Sequence, residues 1–289
     1  MTTTQRMLAP QEVGKKRRSR ASLIIMVVLG VAWMVVSLFP VWMVFSATFS
    51  SDSTDMTKAY LPNDFANGWE KVLYSITTVN LGGSLIDTFF YTSVAIVGML
   101  LICTLAAYEF SFFQFPGKSL MFTVLMGSMM LPLVLYVVPL YRFVFNLGLA
   151  DTYLGVALPL MVSPLSVFIL MQFMEDLPRS FIESAQVDGA GHFRIFFSIV
   201  MPLMRNGMIT ATILLFLAVW GAFLWPSLVT GQEVEALSVT IANMFNPNFY
   251  VDPRVRFAAM LLALIPPVLV YIVFQRYVIK GISMSGVKG

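Results

Sequence analysis

ESAQVDGAGHFRIFFSIVMP, residues 183–202, is a polar, glycine-bearing interruption in a chain whose flanks are long apolar runs. Upstream, Pro178 suits the first turn of a helix. Residues 179–187 have good helical composition apart from Ser180 and Val187. Asp188-Gly189 then acts as a stop, because glycine accepts the left-handed conformation that ends many helices. Residues 192–200 form a second helical run leading to Pro202. The sequence thus predicts a short helix, a tight turn and another helix. One reading is an amphipathic connector lying on a membrane. The other is a surface that docks in a protein groove. Glu183, Gln186 and Asp188 are poor anchors for anionic headgroups. Glu183 and Val187, four apart, share a face with Ser180 and Ser184 close by, which suits a groove better than lipid.

Composition sets the surroundings. Of 289 residues, 58% are hydrophobic and 11% charged, with a mean hydropathy of +0.82. A soluble domain carries roughly 25% charged residues, so bilayer is the fitting solvent. A membrane-spanning helix needs about 20 mostly apolar residues. Six runs qualify: 21–48, 85–108, 120–141, 153–174, 204–229 and 257–279. Each is continuous rather than alternating, which favours helices over strands. The expected fold class is therefore all-α integral membrane, with six transmembrane helices. The first run is too long for a signal-peptide core and lacks a clear cleavage site, so it reads as a retained span.

Lys and Arg placement orients these spans. With the N-terminus in the cytoplasm, inside segments hold 13 of the 18 basic residues and outside segments 5. Both termini, and the 183–202 stretch between spans four and five, are then expected to be cytoplasmic. The expected organisation is a basic segment 1–20, a six-helix transmembrane domain 21–280 and a tail 281–289. Within the membrane domain lie a cytoplasmic loop at about 175–203 and outer loops at about 50–84 and 230–256. The basic cluster KKRRSR, residues 15–20, immediately precedes an apolar run and reads as a membrane-side anchor, not a nucleic-acid arm. The second outer loop contains NMFNPNFYVD, residues 243–252. Its aromatics suit either an interfacial belt or contact with a partner or substrate.

Several motifs do not complete. PGKS, residues 116–119, resembles the end of a phosphate-binding loop, but the position needing glycine is Phe112 and no glycine nest precedes it. The chain has one cysteine and one histidine, which excludes a His/Cys zinc cluster and an intrachain disulfide. Asp87, Glu109 and Arg142 lie near span ends, where solvent relieves their charge; no ladder of buried carboxylates suggests a proton relay. MGSMMLP, residues 126–132, reads as packing. Prolines 132, 139, 159, 164, 226, 266 and 267 are expected to bend their helices.

The 183–202 stretch closely resembles the EAA loop of bacterial ABC-importer permeases, E-A-A-x-x-D-G followed by I-x-x-P. Glu183, Ala185, Asp188, Gly189, Ile199 and Pro202 fit, and Ser184 replaces the usual second alanine. Gly191 stands where a capping Ser or Thr is common. LAAYEFSFFQFPGK (105–118), LGLADTYLG (147–155) and GISMSGVKG (281–289) extend the resemblance over most of the chain. They point to carbohydrate importers of the maltose-transporter type, on the MalG-like side. Departures are Asp87-Thr88 in place of an Asn-Ser pair, Trp220-Gly221 in place of Trp-Asn, and a missing arginine after A-A-Y.

The resemblance implies a type I ABC-importer permease subunit in a bacterial or archaeal cell (inner) membrane. Its implied partners are a second related permease, two ABC ATPases, an extracytoplasmic solute-binding protein, lipid and a carbohydrate, with no nucleic acid. No cofactor or metal is expected on this chain and no catalytic residue; ATP and Mg would act on the ATPases. Glu183, Ser184, Ala185, Asp188 and Gly189 would couple to an ATPase. Asn243, Met244, Phe245, Asn246, Phe249 and Tyr250 would contact the binding protein or substrate, and Asp87, Trp220 and Trp225 are pathway candidates. The implied solute is an oligosaccharide, with glycerol-phosphate-type solutes as the alternative. From other classes, a secondary transporter predicts a mid-membrane coupling carboxylate, and a membrane enzyme predicts clustered polar catalytic groups.

Overall fold

A computed structural model describes residues 20–51, 60–248 and 250–285, and among these every regular element is helical. Residues up to Met43 form one unit and those from Val44 onward another. The first contains most of helix α1 (Arg20–Thr48). There, residues 23–39 are apolar but for Ser37, with apolar side chains on every side of the helix, the composition of a helix made to lie in lipid.

In the second unit, α2 (Phe65–Thr77) lies within the segment expected as the first outer loop. Asp64 caps it, accepting from the Asn67 amide at 3.3 Å. The long helix α3 (Leu81–Phe112) follows. It extends the expected second span by about one turn at each end. α4 (Lys118–Ser128) and α5 (Leu133–Asn146) come next, then α6 (Tyr153–Met161) and α7 (Pro164–Glu175). The 183–202 stretch supplies α8 (Arg179–Val187) and α9 (His192–Leu203). α10 (Arg205–Trp220), α11 (Leu224–Val229), α12 (Leu237–Asn243) and α13 (Pro253–Ser285) complete the chain.

Three single helices are long and apolar enough to cross a membrane, and three bent pairs bring the total to six. The pairs are α4–α5, bent 103°, α6–α7, bent 50°, and α9–α10, bent 75°. The expected third span is therefore not one straight helix. Residues 129–132 interrupt it, and Pro132, whose φ and ψ are extended, starts α5 instead of sitting inside a helix. Met129 and Met130 are exposed, Met130 by 84%, so MGSMMLP is a break and not core packing. Pro164 likewise begins α7. Pro139, Pro159, Pro266 and Pro267 lie within helices that continue through them.

α3 is the centre of the packing. Its buried Tyr91, Ala95, Met99, Cys103 and Ala107 meet residues of α6, α7 and α10. Small residues bring helices close, as membrane packing demands. A Cβ on Gly98 would overlap Met161, and one on Gly207 would come within 2.8 Å of the Phe173 ring. Cys103 Sγ sits at the α6–α7 break, donating to the Met161 carbonyl at 3.4 Å and accepting from the Ser163 amide at 3.4 Å.

Candidate functional site

The polar stretch folds as its sequence predicts. α8 runs to Val187, and Gly189 takes a left-handed φ of +79°. Its amide donates to Gln186 O at 3.0 Å, and that of Ala190 to Ala185 O at 2.9 Å. These two bonds form a Schellman stop that satisfies carbonyls a helix end otherwise leaves open. α9 starts at Gly191 without a side-chain cap. Residues Phe196–Val200 then make a π turn, a device that relaxes the backbone ahead of Pro202, whose nitrogen cannot donate.

α8 has two distinct faces. Ile182 and Ala185 are buried in the chain's own core. Glu183, Ser184, Val187, Asp188 and Gly189 are exposed, Val187 by 87%. Ser184 Oγ donates to the Ser180 carbonyl of its own helix at 2.7 Å. Ala185 thus seats the helix, while Glu183 and Asp188 lie on the free face. Aromatic contacts hold the second helix to the end of α3. Tyr108 packs against Phe196 with centroids 5.3 Å apart, and Phe113 meets His192 edge-on at 5.1 Å.

At the other end of α3, side chains hold the 230–240 segment. Asp87 accepts from the Glu235 amide at 2.9 Å and the Tyr153 hydroxyl at 2.7 Å. Thr88 Oγ1 accepts from the Leu237 amide at 2.9 Å. Ser84 donates to the Glu235 carboxylate at 2.9 Å and lies 2.7 Å from Thr240 Oγ1. Asn80 Nδ2 also donates to Glu235, at 3.1 Å. Asp151, with φ +58°, accepts from four consecutive amides, Gly231, Gln232, Glu233 and Val234, at 2.7, 2.8, 3.0 and 3.0 Å. Burial pushes its carboxyl pKa up, but the four amides outweigh that and hold it below the ordinary carboxylate value.

Beside this network opens a cavity of about 530 Å³ lined by Thr230, Glu235, Thr240, Asn243 and Asn246, and among the described residues no lysine or arginine lines it. From Asp87 to Tyr108 is 21 residues of continuous helix, about 32 Å at 1.5 Å per residue. That matches the thickness of a hydrocarbon core of about 30 Å, so α3 is long enough to hold the 183–202 loop and this cavity one membrane thickness apart.

The family described as "Binding-protein-dependent transport system inner membrane component" matches residues 85–284. The chain belongs to this family. It is an ABC-importer permease, a multi-pass inner-membrane transport component and not an enzyme. Among its relatives, the sn-glycerol-3-phosphate transport system permease protein UgpE of Yersinia pestis is 31% identical over 273 residues, 90% of this chain and 95% of that protein. The arabinooligosaccharides transport system permease protein AraQ of Bacillus subtilis is 33% identical over 216 residues, 72% and 76% of the two chains. A chain in the crystal structure of a bacterial ABC transporter importing the acidic polysaccharide alginate shares the fold. It matches with a TM-score of 0.77 at 22% identity, over 90% of this chain and 98% of that one.

The remaining residues singled out in the permease's sequence fall into different settings. Asn243, Met244 and Asn246 line the cavity, with Met244 buried at 1% exposure. Phe245 lies under the Arg256 guanidinium at 5.2 Å. Tyr250 is 91% exposed, and Phe249 lies outside the described residues. Both tryptophans are buried, and their indole N–H groups donate to backbone carbonyls, Trp220 to Ala263 at 3.1 Å and Trp225 to Val156 at 3.0 Å. Asp151, Ser84 and Glu235 escaped the sequence reading. Only the turn sequence LGLADT, with an Asp able to adopt positive φ, carried a local signal for Asp151.

Proposed function

We propose that this permease pairs with a second related permease, two cytoplasmic ABC ATPases and an extracytoplasmic binding protein to import a neutral carbohydrate of oligosaccharide size. The cavity carries the substrate-class reading. Among the described residues its lining offers hydroxyl, amide and carboxylate groups without a cation, whereas phosphate recognition favours Arg and Lys. Its volume falls within the range of small-molecule sites. The relative transporting arabinooligosaccharides supports this reading. The relative named for sn-glycerol-3-phosphate supports a second, anionic solute.

In the proposed mechanism, ATP and Mg act at the partner ATPases. Closure of the ATPases moves α8, whose exposed Glu183 and Asp188 meet a groove on one of them. Gly189 sets the turn, and Ala185 with Ile182 ties the motion to the core. Asn243 and its neighbours meet the binding protein or its sugar, while Trp220 and Trp225 support the pathway wall from inside the chain. The 13-to-5 distribution of basic residues supports a cytoplasmic position for both termini and α8.

The deciding experiment is uptake by the reconstituted complex with its binding protein. Preferential, ATP-dependent uptake of a neutral oligosaccharide is expected. Preferential uptake of sn-glycerol-3-phosphate overturns the substrate class, and uptake without an ATPase overturns the importer reading. For orientation, Ser184→Cys in a Cys103→Ser background should resist an impermeant thiol reagent applied outside intact cells; labelling there reverses the topology.

A further inference from the structure

We propose that α2 is an interfacial anchor whose Phe65–Trp69–Leu73 stripe is embedded in the headgroup layer, in the leaflet away from the coupling helix. The helix has three flanks. Gly68, Val72 and Ser75 are buried. The seating is close: a Cβ on Gly68 would overlap the Phe49 ring and lie 2.9 Å from the Thr48 carbonyl. On a second flank Phe65, Trp69 and Leu73, spaced by four, are 58%, 59% and 48% exposed. Asn67, Glu70 and Thr77 occupy the third flank and are also exposed. One side therefore meets protein, one is apolar and largely exposed among the described residues, with Phe65 also touching the Phe49 ring at 5.4 Å, and one carries polar groups.

Ion pairs fix the helix's rotation. Arg254 contacts Asp64 at 3.3 Å, and Lys71 lies 3.7 Å from Asp252, joining α2 to the start of α13. The apolar stripe cannot turn inward. At 13 residues α2 is about 20 Å long, too short to cross a membrane, and it carries Glu70 and Lys71. Three residues, 78–80, separate it from the span α3, a reach of about 10 Å. α2 is thus tethered at the membrane boundary. Its exposed Phe65 and Trp69 match the aromatic side chains that settle between headgroups and acyl chains. The membrane placement of α3 underlies this proposal; the coupling and substrate readings do not enter it.

The test uses the full transporter in lipid nanodiscs. Spin labels at Phe65→Cys, Trp69→Cys, Leu73→Cys and, for the polar flank, Glu70→Cys are introduced singly in a Cys103→Ser background. Labels at 65, 69 and 73 should show an oxygen-to-aqueous-nickel collision ratio several-fold above that at 70. High nickel accessibility at all four positions overturns the proposal in favour of open water. Immobilised labels shielded from both reagents overturn it in favour of a protein partner. Should a cysteine variant fail to assemble, brominated-lipid quenching compares the otherwise native complex with Trp69→Phe. The lipid-quenched emission should fall in the variant, and an unchanged quenched fraction rejects the anchor.

Discussion

Replacing Asp151 by Asn tests whether one carboxylate organises the 231–237 loop. In the native chain both carboxylate oxygens are used, by amides at 2.7 to 3.0 Å. An Asn side chain offers a single acceptor oxygen, which takes at most two of the four, and it turns an NH2 group toward the other donors. Hydrogen bonds to charged groups contribute about 1.5–3 kcal/mol each. Three of these contacts are exposed, so water compensates and about 1 kcal/mol per lost bond is a fair figure. Two lost bonds give about 2 kcal/mol, or about 30-fold in local opening. Asn also tolerates the +58° φ of this position, so no backbone penalty is added; Asp151→Ala adds about 1–2 kcal/mol on that account. Hydrogen–deuterium exchange of peptides covering 231–237 is the assay. Exchange within twofold of wild type in a folded Asn variant refutes the reasoning. The pH dependence follows from the lowered pKa. The stabilisation is complete above the ordinary Asp value of about 3.9 and is lost as pH falls through the lower folded value. Neutral and mildly acidic buffers should leave the loop unchanged.

Glu183→Lys should release the partner ATPase on purification, whereas Gly189→Val, strained at φ +79° with open space around it, should retain the ATPase and uncouple hydrolysis from transport; wild-type transport by both removes the coupling assignment. Gly155→Ala places a Cβ onto the Leu149 carbonyl and should lower the melting midpoint by several degrees for a cost of about 1–3 kcal/mol. Gly127→Ala, with nothing within 4 Å, should not lower it, and equal midpoints for the two variants contradict the packing. Val97→Pro, in the middle of α3 with a 59% exposed side chain, should kink that helix at a cost of about 3 kcal/mol. It should abolish transport while the ATPase still binds; normal transport shows that a straight α3 is dispensable.

The parts of this permease written in local sequence were readable. Asp188-Gly189 announced a helix stop, and the structure has one with both Schellman bonds. Apolar run length located the long helices because burial in lipid needs no partner from elsewhere in the chain. Two local signals were present and passed over. FANGWEKVLYSIT, preceded by Asp64, carries the i, i+4 spacing of an amphipathic helix, yet it lay inside what read as an outer loop. Gly127, Ser128 and Pro132 together mark a break, but the methionines between them suggested packing. The hydrogen-bond network could not be read locally. Asp87 and the Glu235 amide are 148 residues apart, and Ser84 and Thr240 are 156 apart. For the same reason Asp87 read as a pathway residue, although its two oxygens are engaged by Tyr153 and the loop backbone.

What these contacts have in common is α3. The other five expected spans each contain proline, from Pro40 in the first to Pro266 and Pro267 in the last, and the second contains none. Proline removes a ladder hydrogen bond and weakens a helix as a strut. The one proline-free span is also gripped at both ends, by Tyr108 and Phe113 against α9 and by Ser84, Asp87 and Thr88 against the 230–240 segment. Side-chain contacts therefore run from the 183–202 loop to the cavity rim through a single helix with an unbroken backbone ladder. A displacement of α9 at one face must either shear the Tyr108–Phe196 contact or move α3. The buried rings of Tyr108 and Phe196, 3% and 2% exposed, make shearing the costlier course, since separated aromatic surfaces lose their dispersion contacts. If α8 docks a partner ATPase as proposed, motion delivered at α8 and α9 would be directed along α3 to the segment that carries Glu235.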